Sequence, residues 1–231
     1  MRRVLVVIPA HNEAPTVAET VHALRGLVDE VVVVADACTD DTADQARGAG
    51  AVVLVRSGRG DKARALAMGL NWVARQNPGD TDIVLLVDAD TGSSAQEAVV
   101  LAGAVASGAD MAIGVLPPAG WHGGFGLVAR LARRILWQRT GIRFRAPLSG
   151  QRAIRWSVLR NLHALAGGFG VEVGMTLDLL RLGARVREVE VHMSHRHTGR
   201  SWHGFLHRAR QGWHVLMASV GRRQVPLWTD D

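Results

Sequence analysis

Cysteine is nearly absent from this sequence: Cys38 is the only one in 231 residues. A lone thiol can close no internal disulfide and supply no multi-cysteine zinc site, so redox chemistry is a poor expectation. Long apolar runs are missing too. None exceeds five residues, and admitting glycine stretches the longest only to nine, Ala98 to Ala106, far short of the roughly 20 that span a bilayer. Met1-Arg2-Arg3 leads into an apolar run that stops at Pro9, too brief for a signal peptide's apolar region and without a small-residue cleavage site. A cytoplasmic protein is expected, and features described below leave peripheral contact with the inner face of the membrane open. Gly-rich phosphate loops are also lacking. Neither G-x-G-x-x-G nor G-x-x-x-x-G-K-[ST] follows any candidate strand, which argues against a dinucleotide fold or a P-loop.

What is there is an ordinary globular balance, 48% hydrophobic and 21% charged residues, enough for a sizeable core in one large α/β domain. The charge is divided. Residues 1–115 carry 9 Lys+Arg against 15 Asp+Glu, and residues 116–231 carry 18 against 6. Six of the seven tryptophans and eight of the ten histidines also lie in the second half. A basic, Trp-rich half suits an anionic partner such as phosphate, nucleic acid or a membrane surface, or is only an arginine-rich solvated surface.

Val- and Ile-rich runs at Val4–Ile8, Val31–Val34, Val52–Val55, Ile83–Val87 and Met111–Val115 alternate with helical periods over Thr16–Leu27, Thr39–Arg47, Lys62–Arg75 and Ser93–Ala106. Unbroken apolar strands separated by crossover helices predict a parallel sheet covered on both faces. After Pro117 the rhythm changes. A basic amphipathic stretch runs from Phe125 to Arg139, followed by a strand at Gln151–Ile154, a helix over Val171–Leu182, a strand at Val186–Met193 and a helix over His203–Val220. Residues 1–231 are expected to form one domain, with 1–115 as a nucleotide-binding half and 116–231 as an acceptor-binding half.

Parallel sheets bind ligands at the carboxyl ends of their strands, and those ends are polar here. Pro9-Ala10-His11-Asn12-Glu13 follows the first run, Asp36-Ala37-Cys38-Thr39-Asp40-Asp41-Thr42 the second, and Asp88-Ala89-Asp90 the fourth. Strand alternation would point Asp88 and Asp90 to one side, where two carboxylates can hold Mg2+ or Mn2+; the alternative is helix capping. Asp36 could accept from a nucleobase N–H or close a turn. Glu13 could bind a ribose hydroxyl or favour the positive end of the first helix. Asp40 and Thr39 read best as caps of the second helix.

Together these segments resemble the nucleotide-sugar glycosyltransferases of family 2 type. The resemblance rests on Pro9 to Glu13, on Asp36 with Thr39 to Thr42, on Asp61-Lys62-Ala63-Arg64-Ala65-Leu66, and on Asp88 with Asp90. The third of these keeps the family's lysine and Ala-Leu but lacks its two glycines. It implies the α/β fold called GT-A, Rossmann-like with a mostly parallel sheet flanked by helices. It also implies a nucleoside diphosphate sugar donor, UDP-linked more readily than GDP-linked, and a divalent cation, Mg2+ or Mn2+. Pro9, Ala10, Asn12, Glu13, Asp36, Lys62, Asp88 and Ala89 would form the donor side, with the nucleotide between Glu13 and Asp36, the metal at Asp90 and the ribose or sugar near Asp88.

Phe144 to Gln151, Gly168 to Gly174 and His195-Arg196 look like the acceptor segments of glucosyl-3-phosphoglycerate synthases, in which the histidine completes the metal site. Gly168 to Glu172 and Val186 to Val191 also look like dolichyl-phosphate mannosyltransferases, although Gly92 stands where those often have glutamine. The implied acceptor is thus a small anion or a lipid phosphate. Ser149, Gly150 and Arg152 would line the sugar and acceptor side, and Arg196 and Arg200 would reach the diphosphate or the acceptor. His195 would join Asp90 on the metal, or is a surface histidine in a basic loop. Glu172, with Asp88, is the catalytic candidate, as general base in an inverting reaction or as an orienting group in a retaining one.

The arginines and leucines of Gly126 to Arg139 would suit a helix lying in a membrane interface or packed on the sheet. Nucleic acid is not the expected partner, and a homodimer stays open. Two rivals are a sugar-nucleotide pyrophosphorylase, disfavoured because Pro9 to Pro15 has no glycine, lysine or arginine, and a non-catalytic basic binder, disfavoured by the ordered acidic strand ends.

Overall fold

The computed structural model describes residues 2–117, 125–167, 170–194 and 224–229. Its strands are β1 (Val4–Ala10), β2 (Glu30–Asp36), β3 (Val52–Arg56), β4 (Ile83–Leu86), β5 (Met111–Val115), β6 (Arg152–Arg155), β7 (Ala164–Ala166), β8 (Val186–Glu190) and β9 (Gln224–Pro226). The helices are α1 (Val17–Leu24), α2 (Thr42–Gly48), α3 (Lys62–Arg75), α4 (Val99–Ala106), α5 (Phe125–Thr140), α6 (Trp156–Leu159) and α7 (Val171–Arg181). Seven strands form one sheet in the order β3-β2-β1-β4-β6-β5-β8, and β7 pairs with β9 apart from it.

The mostly parallel sheet is as expected, with one exception. β6 runs antiparallel to both neighbours, β4 and β5, and so separates two strands that a purely parallel reading would leave adjacent. Apolar periodicity reports burial, not direction, so the sequence located this strand to within a residue without revealing its sense. The remaining sheet pairs are parallel.

Strand alternation divides the core in two. Leu5, Val7, Val84, Leu86, Met111, Ile113 and Ile154 face α3, α5 and α7. Val6, Ile8, Val33, Ile83, Leu85, Ala112 and Ala153 face α1 and α4 on the other side. A strand buried on both faces must be apolar at every position, which is why these runs are unbroken.

Several boundaries move for local reasons. The second helix starts at Thr42 and not Thr39, because Asn12 Oδ1 accepts the Thr39 N–H at 2.8 Å and holds that residue outside the helix. The helix expected from Ser93 begins as a 3-10 turn over Gly92–Ala98 before α4. β8 ends at Glu190, short of the expected Met193, although Val191 and Met193 stay buried. The helix expected over His203–Val220 lies outside the described residues. Among the described residues no helix is long and apolar enough to cross a membrane.

Candidate active site

β4 ends at Leu86, so Asp88 and Asp90 stand in the turn beyond it, and strand alternation does not set their directions. That expectation is corrected by the contacts that hold the turn. Gln151, fully buried, grips Asp88 at two points: its Nε2 donates to Asp88 Oδ2 at 3.0 Å, and its Oε1 accepts the Asp88 N–H at 3.3 Å. Thr91 Oγ1 donates to the Asp88 carbonyl at 2.9 Å and Thr20 Oγ1 to the Ala89 carbonyl at 2.9 Å. Gly150 makes this approach feasible, since a Cβ there would stand 2.2 Å from Asp88 Oδ2.

Lys62 opens α3, where Asp61 caps the helix by accepting the N–H groups of Ala63 and Arg64 at 3.0 and 3.3 Å. The helix seats closely on β1 because Gly69 has no Cβ, which would fall 2.4 Å from Val7 Cγ1. A cation in a first helical turn opposes the helix dipole, so it needs carboxylate partners. Lys62 Nζ has two, Asp88 Oδ1 at 2.7 Å and Glu172 Oε1 at 2.9 Å. Burial by itself would loosen the ammonium proton, but these two carboxylates outweigh it and raise the lysine well above its usual range. Lys62 therefore stays charged. Glu172, in the first turn of α7, sits where the dipole favours an anion.

Arg152 is 1% exposed, and its donors are directed inward. Nε donates to the Ser149 carbonyl at 2.8 Å, Nη2 to the Pro147 carbonyl at 3.2 Å and Nη1 to Thr176 Oγ1 at 2.8 Å. Thr176 in turn donates to the Glu172 carbonyl at 2.8 Å. The guanidinium thus ties the turn before β6 to the start of α7. Burial brings it down to about 10, against the pull of Glu172, Asp88 and Glu188. Pro9, Lys62, Asp88, Gly150, Arg152 and Glu172 line one small pocket.

The other strand ends are cross-linked. Asp36, 3% exposed, engages Arg56 through Oδ1 and the Asp61 N–H through Oδ2 at 2.6 Å, while its carbonyl meets His11 Nδ1 at 2.6 Å. Asn12 binds the Thr39 N–H, the Glu13 N–H donates to Thr42 Oγ1 at 2.8 Å, and Cys38 Sγ donates to the Ala10 carbonyl at 3.4 Å. Asp40 accepts from Thr42 and from the Ala14 N–H at 3.2 Å. Its slight burial works against the charge, yet those bonds hold its carboxyl below the usual range. The N-cap position of α2 falls to Asp41, which makes no side-chain cap bond, so neither expected cap stands there: Asp40 accepts the Thr42 N–H from one residue earlier at 3.1 Å, and Thr39 serves Asn12.

The structure brings Lys62, Asp88, Gly150, Arg152 and Glu172 together, with Ser149 behind them, its Oγ accepting the Gln151 N–H at 3.3 Å. Asp36, Asn12 and Glu13 form a second group with Ala10 on the β1 and β2 ends of the same sheet edge. His195, Arg196 and Arg200 lie outside the described residues. Ser194, just before them, is docked beside the acidic turn: its N–H donates to Ser94 Oγ at 3.1 Å. Sequence reasoning missed the parts played by Gln151 and Arg56. Gln151 had a signal, as a polar residue opening a strand in Ser149-Gly150-Gln151-Arg152, but its partner is fixed only by β6 lying beside β4. No group of three metal-ligating side chains occurs among the described residues. Asp90 lies two residues beyond Asp88 in the same turn, and a hard cation that draws its other ligands from phosphate and water needs only one or two such carboxylates, so the donor set fits one.

The model of glycosyl transferase family 2 matches residues 5–161. An undecaprenyl-phosphate mannosyltransferase of Micrococcus luteus is 31% identical over 217 residues, spanning 86% of this chain and 86% of that protein. Glucosyl-3-phosphoglycerate synthase from Mycobacterium tuberculosis in complex with Mg2+ and uridine diphosphate superposes with a TM-score of 0.75 at 29% identity, covering 96% of this chain and 80% of that one. Its complex with Mn2+, uridine diphosphate and phosphoglyceric acid gives 0.71 at 27% identity, with 96% and 79% covered. The expected GT-A fold has its counterpart in these structures, and the chain belongs to glycosyl transferase family 2 and is a glycosyltransferase.

Proposed function

We propose that this enzyme moves a hexosyl group from a nucleoside diphosphate sugar, UDP-linked in preference to GDP-linked, to a phosphate-bearing acceptor that is a small anion or a lipid phosphate. The observation that carries the reading is the Lys62 ammonium held between Asp88 and Glu172 at the sheet edge, next to Asp90. A fixed cation at that point meets the charge that grows on a departing diphosphate, and it needs no reorganisation to do so. Asp36 and Glu13 select the nucleoside, and Pro9, Ala10, Asn12 and Ala89 shape the donor side. Asp90 and His195 would hold Mg2+ or Mn2+, which supplies Lewis-acid neutralisation of the diphosphate. The docking of Ser194 on Ser94 supports His195 as the partner of Asp90. Arg196 and Arg200 add guanidinium forks for phosphate oxygens. Glu172 contacts the reacting sugar or acceptor, while Ser149 and Gly150 line that side and Arg152 holds it in place. The whole chain acts as one cytoplasmic domain, residues 1–115 binding the nucleotide and 116–231 the acceptor.

The test is a thermal-shift panel of UDP, GDP and their sugars, with and without Mn2+, on the wild type and Asp90→Ala. A ligand at about a hundred times its dissociation constant stabilises the folded state by roughly 2.7 kcal/mol. A Mn2+-dependent shift by one diphosphate class, lost in Asp90→Ala, is expected. An equal shift in the variant would remove Asp90 from the metal site, and no shift from any nucleotide would overturn the donor assignment.

A further inference from the structure

A basic, partly apolar face on α5 has no part in the chemistry above. Val128, Ala132, Ile135 and Leu136 turn inward and are buried in the core beside α7. The opposite side of the helix carries Leu127, Arg130, Arg134 and Trp137, with Leu127 67% and Trp137 49% exposed. The following turn adds Ile142, 44% exposed, and Arg143, whose guanidinium lies 5.5 Å from the centre of the Trp137 ring. Residues 125–145 contain six arginines and no Asp or Glu. Arg145 is engaged by Glu190 at 2.9 Å, and an exposed helix face that serves only to meet water has no use for Leu, Trp and Ile beside Arg130, Arg134 and Arg143. The combination matches what an anionic bilayer offers: phosphates for the guanidiniums, the headgroup level for Trp, and acyl chains for Leu and Ile.

The position of this face is consistent with that use. β4 and β5 both run antiparallel to β6, so they point the same way, and the C-terminal end of β5 lies on the same sheet edge as Asp88. A groove lined by Val115, Leu116, Arg133, Trp137 and Phe144 opens there.

We propose that the outer face of α5, with the Ile142–Arg143 turn, docks the enzyme on the surface of an anionic lipid bilayer. The aliphatic residues favour lipid over nucleic acid, which offers no hydrocarbon for Leu127 and Ile142 to enter. The inference stands apart from the donor and acceptor reading, because its test measures binding and not transfer.

The test is cosedimentation with vesicles of phosphatidylcholine alone and with about a third phosphatidylglycerol, in low and physiological salt. The proteins compared are the wild type, Arg130→Glu/Arg134→Glu, Leu127→Ser/Trp137→Ser, and a control of equal charge change elsewhere, Arg47→Glu/Arg160→Glu. Circular dichroism and the nucleotide thermal shift report that each variant is folded with an intact donor site. The expected result is wild-type binding to the anionic vesicles only, reduced at least about tenfold by the α5 charge reversal. The serine variant should lose binding in physiological salt, and the control should keep it. Wild-type protein that ignores anionic vesicles, equal loss in the control, or tighter capture by an oligonucleotide than by vesicles would each overturn the proposal.

Discussion

Replacing Gly150 by alanine tests whether the Asp88 carboxylate is held where the chemistry needs it. The new Cβ would lie 2.2 Å from Oδ2, 2.6 Å from Oδ1 and 2.7 Å from Cγ of Asp88. The backbone at Gly150 is not in the left-handed region, so alanine brings no dihedral strain of its own and the contact is the whole perturbation. To restore ordinary van der Waals distances the carboxylate must retreat by about 1 Å. A shift of that size stretches the 2.7 Å bond from Lys62 and the 3.0 Å bond from Gln151 beyond hydrogen-bond range. Each is charge-assisted and worth about 1.5–3 kcal/mol, while Lys62 keeps Glu172 as a partner. Folding stability should therefore fall by only about 1–3 kcal/mol. Turnover should fall much further, by about a hundredfold, because a misplacement of 1 Å in a catalytic constellation costs about that much. The assay is nucleoside diphosphate release from the donor identified by thermal shift, with urea unfolding alongside. A Gly150→Ala enzyme within twofold of wild-type kcat and KM would refute the reasoning that this glycine exists for the approach of Asp88.

Lys62→Met should leave Asp88 and Glu172 facing each other without their cation, a loss of up to about 3–5 kcal/mol at pH 7 in urea unfolding. A loss below about 1 kcal/mol would contradict the ion-pair geometry. Arg152→Met should strip donors from the Ser149 and Pro147 carbonyls and from Thr176, at about 1–3 kcal/mol for each group left unsatisfied. Destabilisation below 1 kcal/mol in the same assay would show that the buried guanidinium is dispensable. Asp82, 4% exposed, is held below its usual range because the bonds from the Arg3 N–H, the Gly79 N–H and the Arg3 guanidinium outweigh its burial. A depressed folded pKa gives stability that is present above the unfolded value of 3.8 and lost as pH falls through the folded one. Unfolding midpoints should thus drop below about pH 4, and Asp82→Asn should flatten that part of the slope; an unchanged slope would discount this carboxylate.

Much of this protein was legible before its structure. Strands buried on both faces have to be apolar at every residue, so β1 to β5 announced themselves as unbroken runs, and a parallel sheet places its ligand groups just past those runs. That logic led to Asp36, Asp88, Asp90 and Glu13 without any coordinates. The Lys62 to Arg75 helix was equally plain from its helical period, and the structure adds the Asp61 cap at its start.

The tertiary structure decided the rest. Nothing local says that β6 is antiparallel or that it slots between β4 and β5, because the side-chain pattern of a buried strand is the same in either direction. Yet that insertion brings Gln151 and Gly150 against Asp88, residues more than sixty positions apart in the chain. Lys62, Asp88 and Glu172 come from three distant segments, and their convergence fixes the charge of the lysine. Arg152 shows the converse. The resemblance placed it on the sugar and acceptor side, and the fold buries it there to hold a turn, a role that depends on which carbonyls meet it across the core. The sequence by itself determined the layers, the edge where the chemistry sits and the residue types gathered there, because burial and strand ends leave a periodic trace. Which side chain grips which was left to packing between elements remote in sequence, and such contacts leave no trace in local periodicity.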